Sequence, residues 1–391
     1  MDASTFDAMI VGGGPAGSVC ARRLVQGGLR VLVLDREAFP RVKLCGGWLS
    51  PMVWDVLELR PRAYPGGIWP WSRCHVQHGG TLRTFEGRGH FIRRYEFDDF
   101  LLNRSAAEVI QHSVRKIERS GDQWIVDGSY RAKVLVGAGG THCPVARQLF
   151  SGKRSVPVAA KELEMIAGAA QVAATRAGRD GEPELFLHDD LGGYSWNVPK
   201  GEWLNVGTGT SEPREVLAAW SAAREFFEGS GHLPKTVRAS LDAAKGHSYY
   251  LYDPAHLEDC VRDGAVLIGD SLGLAHPLTA EGILPAVLSA RLAADAVIDG
   301  ALAGYPAALA EHALMRDYAL ARELLIAGIA LRNRMRKRSW SLPASKTVAR
   351  LSQAATARAF ARMFSGRPIP HAALLRVMLR QAPSLTRTTV P

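Results

Sequence analysis

Cys45 lies in a sequence context in which a thiol could take part in a reaction. The stretch RVKLCGGWLSP, residues 41–51, places the thiol directly before Gly46 and Gly47, shortly after a segment with the pattern of a nucleotide-binding unit. A cysteine in this place could be a small buried hydrophobe, a redox partner or a proton donor. A free thiol is mostly protonated at neutral pH, so it could give a proton. The residues alone leave these roles open.

A glycine-rich turn precedes the cysteine, in the sequence GGGPAG of residues 12–17. Gly12, Gly14 and Gly17 would let the chain turn tightly and approach a pyrophosphate at a helix N-terminus, where free N–H groups favour an anion. Asp35 ends the next predicted strand, where its carboxylate can accept hydrogen bonds from a ribose. The glycine pattern alone would also fit an ordinary turn. Between a strand and a helix, and followed by an acid, it predicts a dinucleotide site.

A second block could hold the other end of such a cofactor. In GAVLIGDSLGLAHPLTAEGI, residues 264–283, a short apolar strand ends at Asp270 and a helix is expected to start near Gly282. In a chain that binds a dinucleotide, this arrangement suits a flavin. Asp270 would bind the ribityl hydroxyls, and the helix N-terminal amides would face the negative N1–C2=O edge of the ring. The alternative is a surface turn capped by Asp270.

The elements that must position these residues follow from the apolar pattern. A strand over Asp7–Val11, a helix over 18–26 and a strand over Arg30–Leu34 form a β-α-β unit. Glu96–Val109 is predicted to be helical, because Phe97 and neighbouring apolar residues form one face. Further strands are predicted over 113–118, 123–127, 132–136, much of 156–207, and 265–268. Further helices are predicted over 213–244, 282–298 and beyond residue 305.

The composition is that of an ordinary soluble globular chain, with 47% hydrophobic and 22% charged residues among 391. No apolar run approaches the ~18–20 residues of a spanning helix. The five cysteines have no paired spacing, which argues against a disulfide framework. The adjacent pairs Cys74-His75 and His142-Cys143 lack the spacing of metal ligands, so no metal site is predicted. We therefore expect a cytoplasmic protein of two or three domains.

The net charge of +10 is concentrated near the C-terminus. After Glu323 there is no acidic residue, whereas basic residues recur from Arg332 to Arg387, with apolar residues at roughly helical spacing. Such a basic amphipathic segment is typical of an element on a membrane surface, here the inner face. A solvated helix packed on the cofactor domain, or a surface for an acidic protein partner, fits equally well. Nucleic acid is not expected, because no nucleic-acid fold or aromatic platform accompanies the charge.

Four segments together resemble the flavoprotein superfamily of aromatic hydroxylases, flavin halogenases and geranylgeranyl reductases. They are GGGPAG at 12–17, RYEFD at 94–98, GAGG at 137–140 and the block around GD at 269–270. Two further stretches favour the geranylgeranyl reductase branch. KLCGG at 43–47 resembles the Cys-Gly-Gly segment of that branch, and YSWNVP at 194–199 resembles its Y-x-W-x-F-P motif.

The resemblance implies an α/β fold with three regions. These are a discontinuous Rossmann-like FAD-binding domain (1–70, 94–155 and 255–300), a β-sheet substrate-binding domain (71–93 and 156–254), and a C-terminal basic helical region (301–391). The implied FAD contacts are Gly12, Gly14, Pro15, Ala16, Gly17, Asp35, Arg36, Cys45, Gly46, Gly47, Arg94, Val114, Gly140, Gly269, Asp270, Gly282 and Ile283. Cys45 would lie beside the isoalloxazine as the catalytic residue. The implied substrate cavity is lined by Tyr194, Trp196 and Pro199, with Trp48 either in its wall or in the core.

The implied activity is an FAD-dependent reduction of carbon–carbon double bonds in a prenyl-type or other apolar substrate, by hydride from reduced FAD. An isolated alkene is a poor hydride acceptor, so a proton must be delivered as well, and the faces of Tyr194 and Trp196 could stabilise the developing cation. The electron donor stays open between reduced ferredoxin and a flavin or NAD(P)H reductase. Two other functions stay open: a flavin monooxygenase or halogenase of an aromatic or polyketide metabolite, and a non-catalytic flavoprotein that docks to a membrane or an acidic partner.

Three residues depart from the family pattern. Gly139 replaces an acid, so direct use of NADPH is not expected. Ala280 replaces a glycine and would strain its loop if the position needs a positive φ. Val198 replaces an aromatic residue and would enlarge the pocket.

Overall fold

The computed structural model describes most of the chain. The described residues are 5–78, 81–150, 157–175, 180–188, 192–229 and 231–337. The predicted basic amphipathic segment beyond Lys337 lies outside them, and its function stays a prediction. The domain limits predicted from the sequence also stay a prediction.

The chain begins with the predicted β-α-β unit. It consists of β1 (Thr5–Val11), α1 (Pro15–Gln26) and β2 (Val31–Asp35), with the two strands parallel. The sequence pattern predicts that the helix begins at Ser18, but it begins at Pro15. Proline favours the first helical position, because its φ is already helical and its missing N–H would have no partner there.

The first sheet extends this unit on both sides. Its other strands are β6 (Glu108–Gln111), β7 (Ile117–Ser120), β8 (Gln123–Val126), β9 (Tyr130–Gly137), β15 (Val261–Arg262) and β16 (Ala265–Leu267). The order is β15-β16-β9-β1-β2-β6, and β7 and β8 form a hairpin beside β9. The pairs from β16 to β6 are all parallel. The central strand β1 and its neighbour β2 are nearly continuous apolar runs, because both faces of a parallel sheet are covered, whereas the edge strand β6 is largely exposed.

The predicted helix over Glu96–Val109 is wrong at its C-terminal end. Helix α3 (Arg94–Arg104) stops five residues earlier, and the chain then enters β6, which pairs with β2. Ala106 has φ +57, a left-handed conformation that ends a helix. The predicted strand over 113–118 is likewise displaced, because only Ile117–Ser120 is extended and paired.

The second sheet faces the end of the first. Its strands are β3 (Trp48–Leu49), β4 (Ile68–His78), β5 (Thr81–Ile92), β10 (Pro157–Ile166), β11 (Glu184–Leu187), β12 (Gly193–Lys200), β13 (Trp203–Thr210) and β14 (Lys245–Tyr250). They follow the order β14-β10-β13-β12-β11-β4-β5-β3. All neighbours are antiparallel except β11 and β4. The sheet therefore joins the segment after Cys45 to strands far along the chain.

Helices cover the outer faces. The remaining ones are α2 (Pro51–Val56), α4 (Pro144–Leu149), α5 (Ala169–Ala173), α6 (Val216–Gly229), α7 (Ile283–Ile298), α8 (Tyr305–Glu311) and α9 (Ala313–Lys337). Helix α7 packs closely on α1, and the small residues Ala290, Ala293 and Ala294 are fully buried in the core. No helix within the described part of the chain is both long enough and apolar enough to cross a membrane. The mixed α/β architecture confirms the predicted fold class.

Candidate active site

A cavity of about 590 Å³ lies between the two sheets and brings most of the predicted site residues together. The predicted residues that line it are Gly12, Gly14, Pro15, Ala16, Asp35, Arg36, Cys45, Gly46, Gly47, Trp48, Arg94, Val114, Gly140, Tyr194, Trp196, Asp270, Gly282 and Ile283. The carboxyl ends of β1 and β2 form one end of the cavity, and the faces of β10, β12 and β14 form the other. The residues predicted for cofactor and for substrate thus share one continuous space.

Three predicted residues lie outside this lining. A Cβ on Gly17 would stand 1.8 Å from the carbonyl oxygen of Gly12, so this glycine permits the close packing of the turn. Gly269 has φ +59, and its N–H donates to the Ser289 hydroxyl at 3.0 Å. Pro199 is buried in β12 opposite Leu204.

The glycine turn is shaped to receive an anion. Gly12 has φ +113, and a Cβ there would stand 2.4 Å from the carbonyl oxygen of Ala138. The buried Asp35 carboxylate accepts hydrogen bonds from the N–H groups of Gly13 at 2.7 Å and Glu37 at 2.9 Å, which fixes the turn against β2. The first turn of α1 contains only uncharged residues, so its free amides keep their attraction for a phosphate.

A buried cation stands beside Cys45. Arg94 donates two hydrogen bonds to Asp98, of 2.6 and 2.7 Å, and Arg41 lies 3.3 Å from the same carboxylate. Burial lowers the pKa of Arg94, but the charge and hydrogen bonds of Asp98 outweigh it, and the pKa is raised overall, with Cys45 contributing in the same direction. Arg94 therefore presents a permanent positive charge to the thiol side of the cavity.

The Cys45 segment is held in place by its backbone. The Gly47 N–H donates to the Cys45 sulfur at 3.3 Å, and the Asn205 amide donates to the Cys45 carbonyl oxygen at 3.3 Å. The same Asn205 side chain accepts a hydrogen bond from the Trp196 indole at 2.7 Å. Gly47 has φ +66, and a Cβ there would stand 1.9 Å from the carbonyl oxygen of Ile92. Glycine at position 47 is thus required by the backbone itself.

An aromatic wall faces this segment. The ring centroids of Tyr194 and Trp196 are 5.9 Å apart, and the Tyr194 hydroxyl donates to the carbonyl oxygen of Thr279 at 2.6 Å. Trp48 lines the cavity and also packs edge-on against Trp71, with centroids 5.0 Å apart, so it belongs to both the wall and the core. Val198 is fully buried and lines the cavity where the family motif has an aromatic residue.

Several titratable residues of the cavity were not predicted from the sequence, among them Glu162 and His247. Glu162 on β10 is fully buried, and among the described residues neither of its carboxylate oxygens has a hydrogen-bond partner. Burial raises the pKa of Glu162 to about 7, although Lys200 and Lys43 oppose the change. The nearby His247 ring has its Nδ1 atom 3.7 Å from a Glu162 oxygen, and burial, together with Lys43, lowers the pKa of His247 to about 4.

The opposite wall is formed by the loop before α7. Burial raises the pKa of Asp270, and Lys43 opposes this change. Ala280 has φ +61, so the alanine occupies the left-handed conformation in which strain was expected. Burial also raises the pKa of Glu281 to about 7, although hydrogen bonds from Ser50 act to lower it.

Within the described ranges, no group of three or more His, Cys, Asp and Glu residues could hold a metal ion.

The sequence is similar to a family model and to several named reductases. Residues 10–44 match the family model of the NAD(P)-binding Rossmann-like domain. Digeranylgeranylglycerophospholipid reductase 1 of Methanopyrus kandleri is 27% identical over 75% of this chain and 80% of its own length. Geranylgeranyl diphosphate reductase of Rhodobacter capsulatus is 26% identical over 80% of this chain and 81% of its own. Menaquinone reductase of Mycobacterium tuberculosis is 26% identical over 82% of this chain and 83% of its own length.

Solved structures share the fold. A geranylgeranyl bacteriochlorophyll reductase-like protein of Thermoplasma acidophilum superposes with a TM-score of 0.71, 18% identity, and 98% coverage of both chains. A flavin-dependent brominase superposes with a TM-score of 0.65 and 18% identity, over 97% of this chain and 100% of its own. The relatives confirm the predicted resemblance: the sequence is similar to reductases of geranylgeranyl compounds, and the chain shares its fold with a geranylgeranyl bacteriochlorophyll reductase-like protein.

Proposed function

We propose that the protein binds FAD and reduces carbon–carbon double bonds of a prenyl-type substrate. The observation that carries the proposal is the continuous cavity that runs from the glycine turn to Cys45 and the aromatic wall. The compounds in the names of the three sequence relatives share an isoprenoid chain and differ in the head group. The chain, and not the head group, is therefore the part of the substrate that we assign to the cavity.

The residues present fit a flavin dinucleotide. The glycine turn offers free amides to a pyrophosphate, and glycine at position 12 lets the turn pack against the backbone of Ala138 and Gly139. At the other end, α7 begins at Ile283 with an uncharged first turn, next to the Asp270 carboxylate. The buried Thr279 hydroxyl lines the cavity without a hydrogen-bond partner among the described residues. Bound between these ends and reduced, FAD would supply the hydride.

The residues of the chain would bind the alkene and keep water from it. Tyr194 and Trp196 offer aromatic faces to a carbon on which positive charge develops, and such contacts stabilise cations by about 0.5–2 kcal/mol. Val198 leaves room beside them for a branched chain. We assign Cys45 to the reactive face of the cavity, because Arg94 and the Gly47 N–H hold its sulfur there.

An anaerobic single-turnover experiment tests this function. The protein is reconstituted with FAD, reduced with dithionite and mixed with geranylgeranyl diphosphate or menaquinone, while flavin absorbance and product mass are followed. We expect flavin reoxidation and a gain of two hydrogens for each double bond. Trp196→Leu should slow the reaction, whereas Trp69→Leu, outside the cavity, should not. Absence of reoxidation without oxygen, together with an oxygenated product in air, would refute the proposal in favour of a monooxygenase.

A further inference from the structure

Two glutamates on β10 share a strand face but differ in their partners. Glu164 accepts hydrogen bonds from Lys200 at 2.6 Å and from Arg93 at 2.9 Å. Glu162 lies two residues away, on the same face because side chains alternate along a strand. It is fully buried, and within the described part of the chain its two oxygens have no hydrogen-bond partner. The protein thus pairs one carboxyl group with two cations, whereas Glu162 has only the His247 ring nitrogen nearby, 3.7 Å from one of its oxygens.

The Glu162 carboxyl group stands next to the aromatic wall. A Cβ on Gly207 of β13 would lie 2.6 Å from the Cβ of Glu162 and 2.3 Å from the Cζ2 atom of Trp196. The glutamate and the indole therefore approach the same glycine from adjacent strands, and both line the cavity. Glycine at 207 is what allows this approach. Glu162 is consequently within reach of whatever packs against Trp196.

The groups around Glu162 do not neutralise it as an anion. Lys200 from β12 is committed to Glu164, and Lys43 reaches toward Glu162 from the segment before Cys45. Asn205 on β13 lies close enough to favour the anion weakly through its amide, His247 on β14 is a neutral neighbour, and Glu164 adds a like charge. A buried carboxylate without a partner is costly, and taking up a proton removes the cost. The surroundings therefore favour the protonated acid near neutral pH, in line with the pKa of about 7.

We propose that Glu162, as a carboxylic acid, is the proton donor in the reduction of the double bond. This inference rests on the proposed function. The O–H bond of Glu162 breaks, and its proton forms a new C–H bond at one alkene carbon. The other carbon accepts the hydride, and the reduced flavin that provides it is oxidised. Glu162 is left as a carboxylate.

His247 offers the route by which Glu162 recovers its proton. Its Nδ1 atom lies 3.7 Å from a Glu162 oxygen, and the side chain is 19% exposed. Because the pKa of His247 is lowered to about 4, the ring is neutral and can accept a proton on one nitrogen while it gives one from the other. Cys45 is less suited to the donor role, because its sulfur accepts the Gly47 N–H and faces Arg94.

The first test observes the proton directly and needs no turnover. Protein with bound FAD is labelled with 13C at the glutamate carboxyl carbons, and infrared spectra are recorded as the pH is raised from 5 to 9. We expect protonated carboxyl absorption that disappears near pH 7 and has two sources, Glu162 and the buried Glu281. In Glu162→Gln the absorption should fall to the part that Glu281 contributes. The exposed control Glu225→Gln should keep the absorption of both. A Glu162 that is already ionised at pH 5 would overturn the proposal, whatever the activity.

The second test uses the single-turnover reaction described above. Removal of a general acid typically slows a reaction by about 10²–10⁴-fold, and we expect a loss of this size in Glu162→Gln. In the wild type and in Cys45→Ser, the rate should fall as the pH rises through about 7. In Glu162→Gln this pH dependence should vanish. A Glu162→Gln rate within about threefold of the wild type overturns the proton-donor role alone. A wild type that turns over no prenyl substrate overturns the proposed function and the inference together.

Discussion

The wild type should lose stability as the pH rises from about 4.5 to about 7, and Glu162→Gln should not show this loss. The pKa of this carboxyl group rises from 4.5 to about 7 through burial, against Lys200 and Lys43. The folded protein then binds more protons than the unfolded chain between these values, so the free energy of unfolding falls as the pH rises from about 4.5 to 7. Glutamine has nearly the same volume and does not titrate, so the variant lacks this loss.

The size of the effect follows from the two pKa values. Each factor of ten in the acid constant is worth about 1.4 kcal/mol, so the rise from 4.5 to about 7 corresponds to about 3 kcal/mol. The wild type should lose this amount between pH 4.5 and pH 8, and Glu162→Gln should not. Other groups that titrate in the same range, such as Glu281, contribute equally to both proteins and cancel in the comparison.

Urea unfolding of the flavin-free protein at pH 4.5 and pH 8 measures the difference. Glu225→Gln, an exposed glutamate on α6, is the control and should follow the wild type at both pH values. A stability difference between Glu162→Gln and the wild type that is the same at both pH values, within about 0.5 kcal/mol, would show that the carboxyl group is ionised normally. The reasoning from burial would then be refuted.

Three glycine and alanine positions give further predictions. Gly207→Ala places a methyl group 2.3 Å from the Trp196 ring, and we expect the free energy of unfolding in urea to fall by about 1–3 kcal/mol. The control Gly229→Ala should change little, because a Cβ there would contact nothing. Equal stability of the two variants would contradict the packing described. Ala280→Gly relieves a φ of +61, and calorimetry should show a Tm higher by about 2 °C; a lower Tm would mean that the loop is unstrained. Gly12→Ala must adopt φ +113 and would stand 2.4 Å from a backbone oxygen, so FAD should no longer bind in a fluorescence titration, and unchanged affinity would exclude this turn as the binding site.

Much of the end of the cavity at the glycine turn could be predicted from the sequence. The glycine turn, Asp35 and Asp270 are recognisable because local backbone geometry demands particular residue types at particular spacings. Pro15 shifts the helix start for an equally local reason. The end of α3 could not be located, because the apolar pattern continues toward Val109 while pairing with β2 decides that the chain is extended there.

Glu162 could not be recognised from the sequence as a protonated acid in the cavity. Glu162 and Glu164 have the same residue type and occur in the same alternating strand. The difference between them arises from Lys200 and Arg93, which reach Glu164 only in the folded sheet. Residue type and spacing describe what a side chain can do, whereas the free energy of its charge depends on partners brought from elsewhere in the chain.

The hydrogen bond from Asn205 to the Cys45 carbonyl has a consequence for the order in which the protein forms. It joins residues 160 positions apart, whereas the bond from Gly13 to Asp35 spans only 22. Contacts between distant residues form late, because a long loop must first be closed. A chain emerging from the ribosome would therefore complete its glycine turn while Cys45 is still open to solvent. Until β13 has been synthesised and docked, we expect the thiol to be more accessible to oxidants than in the folded protein, where it is half-buried.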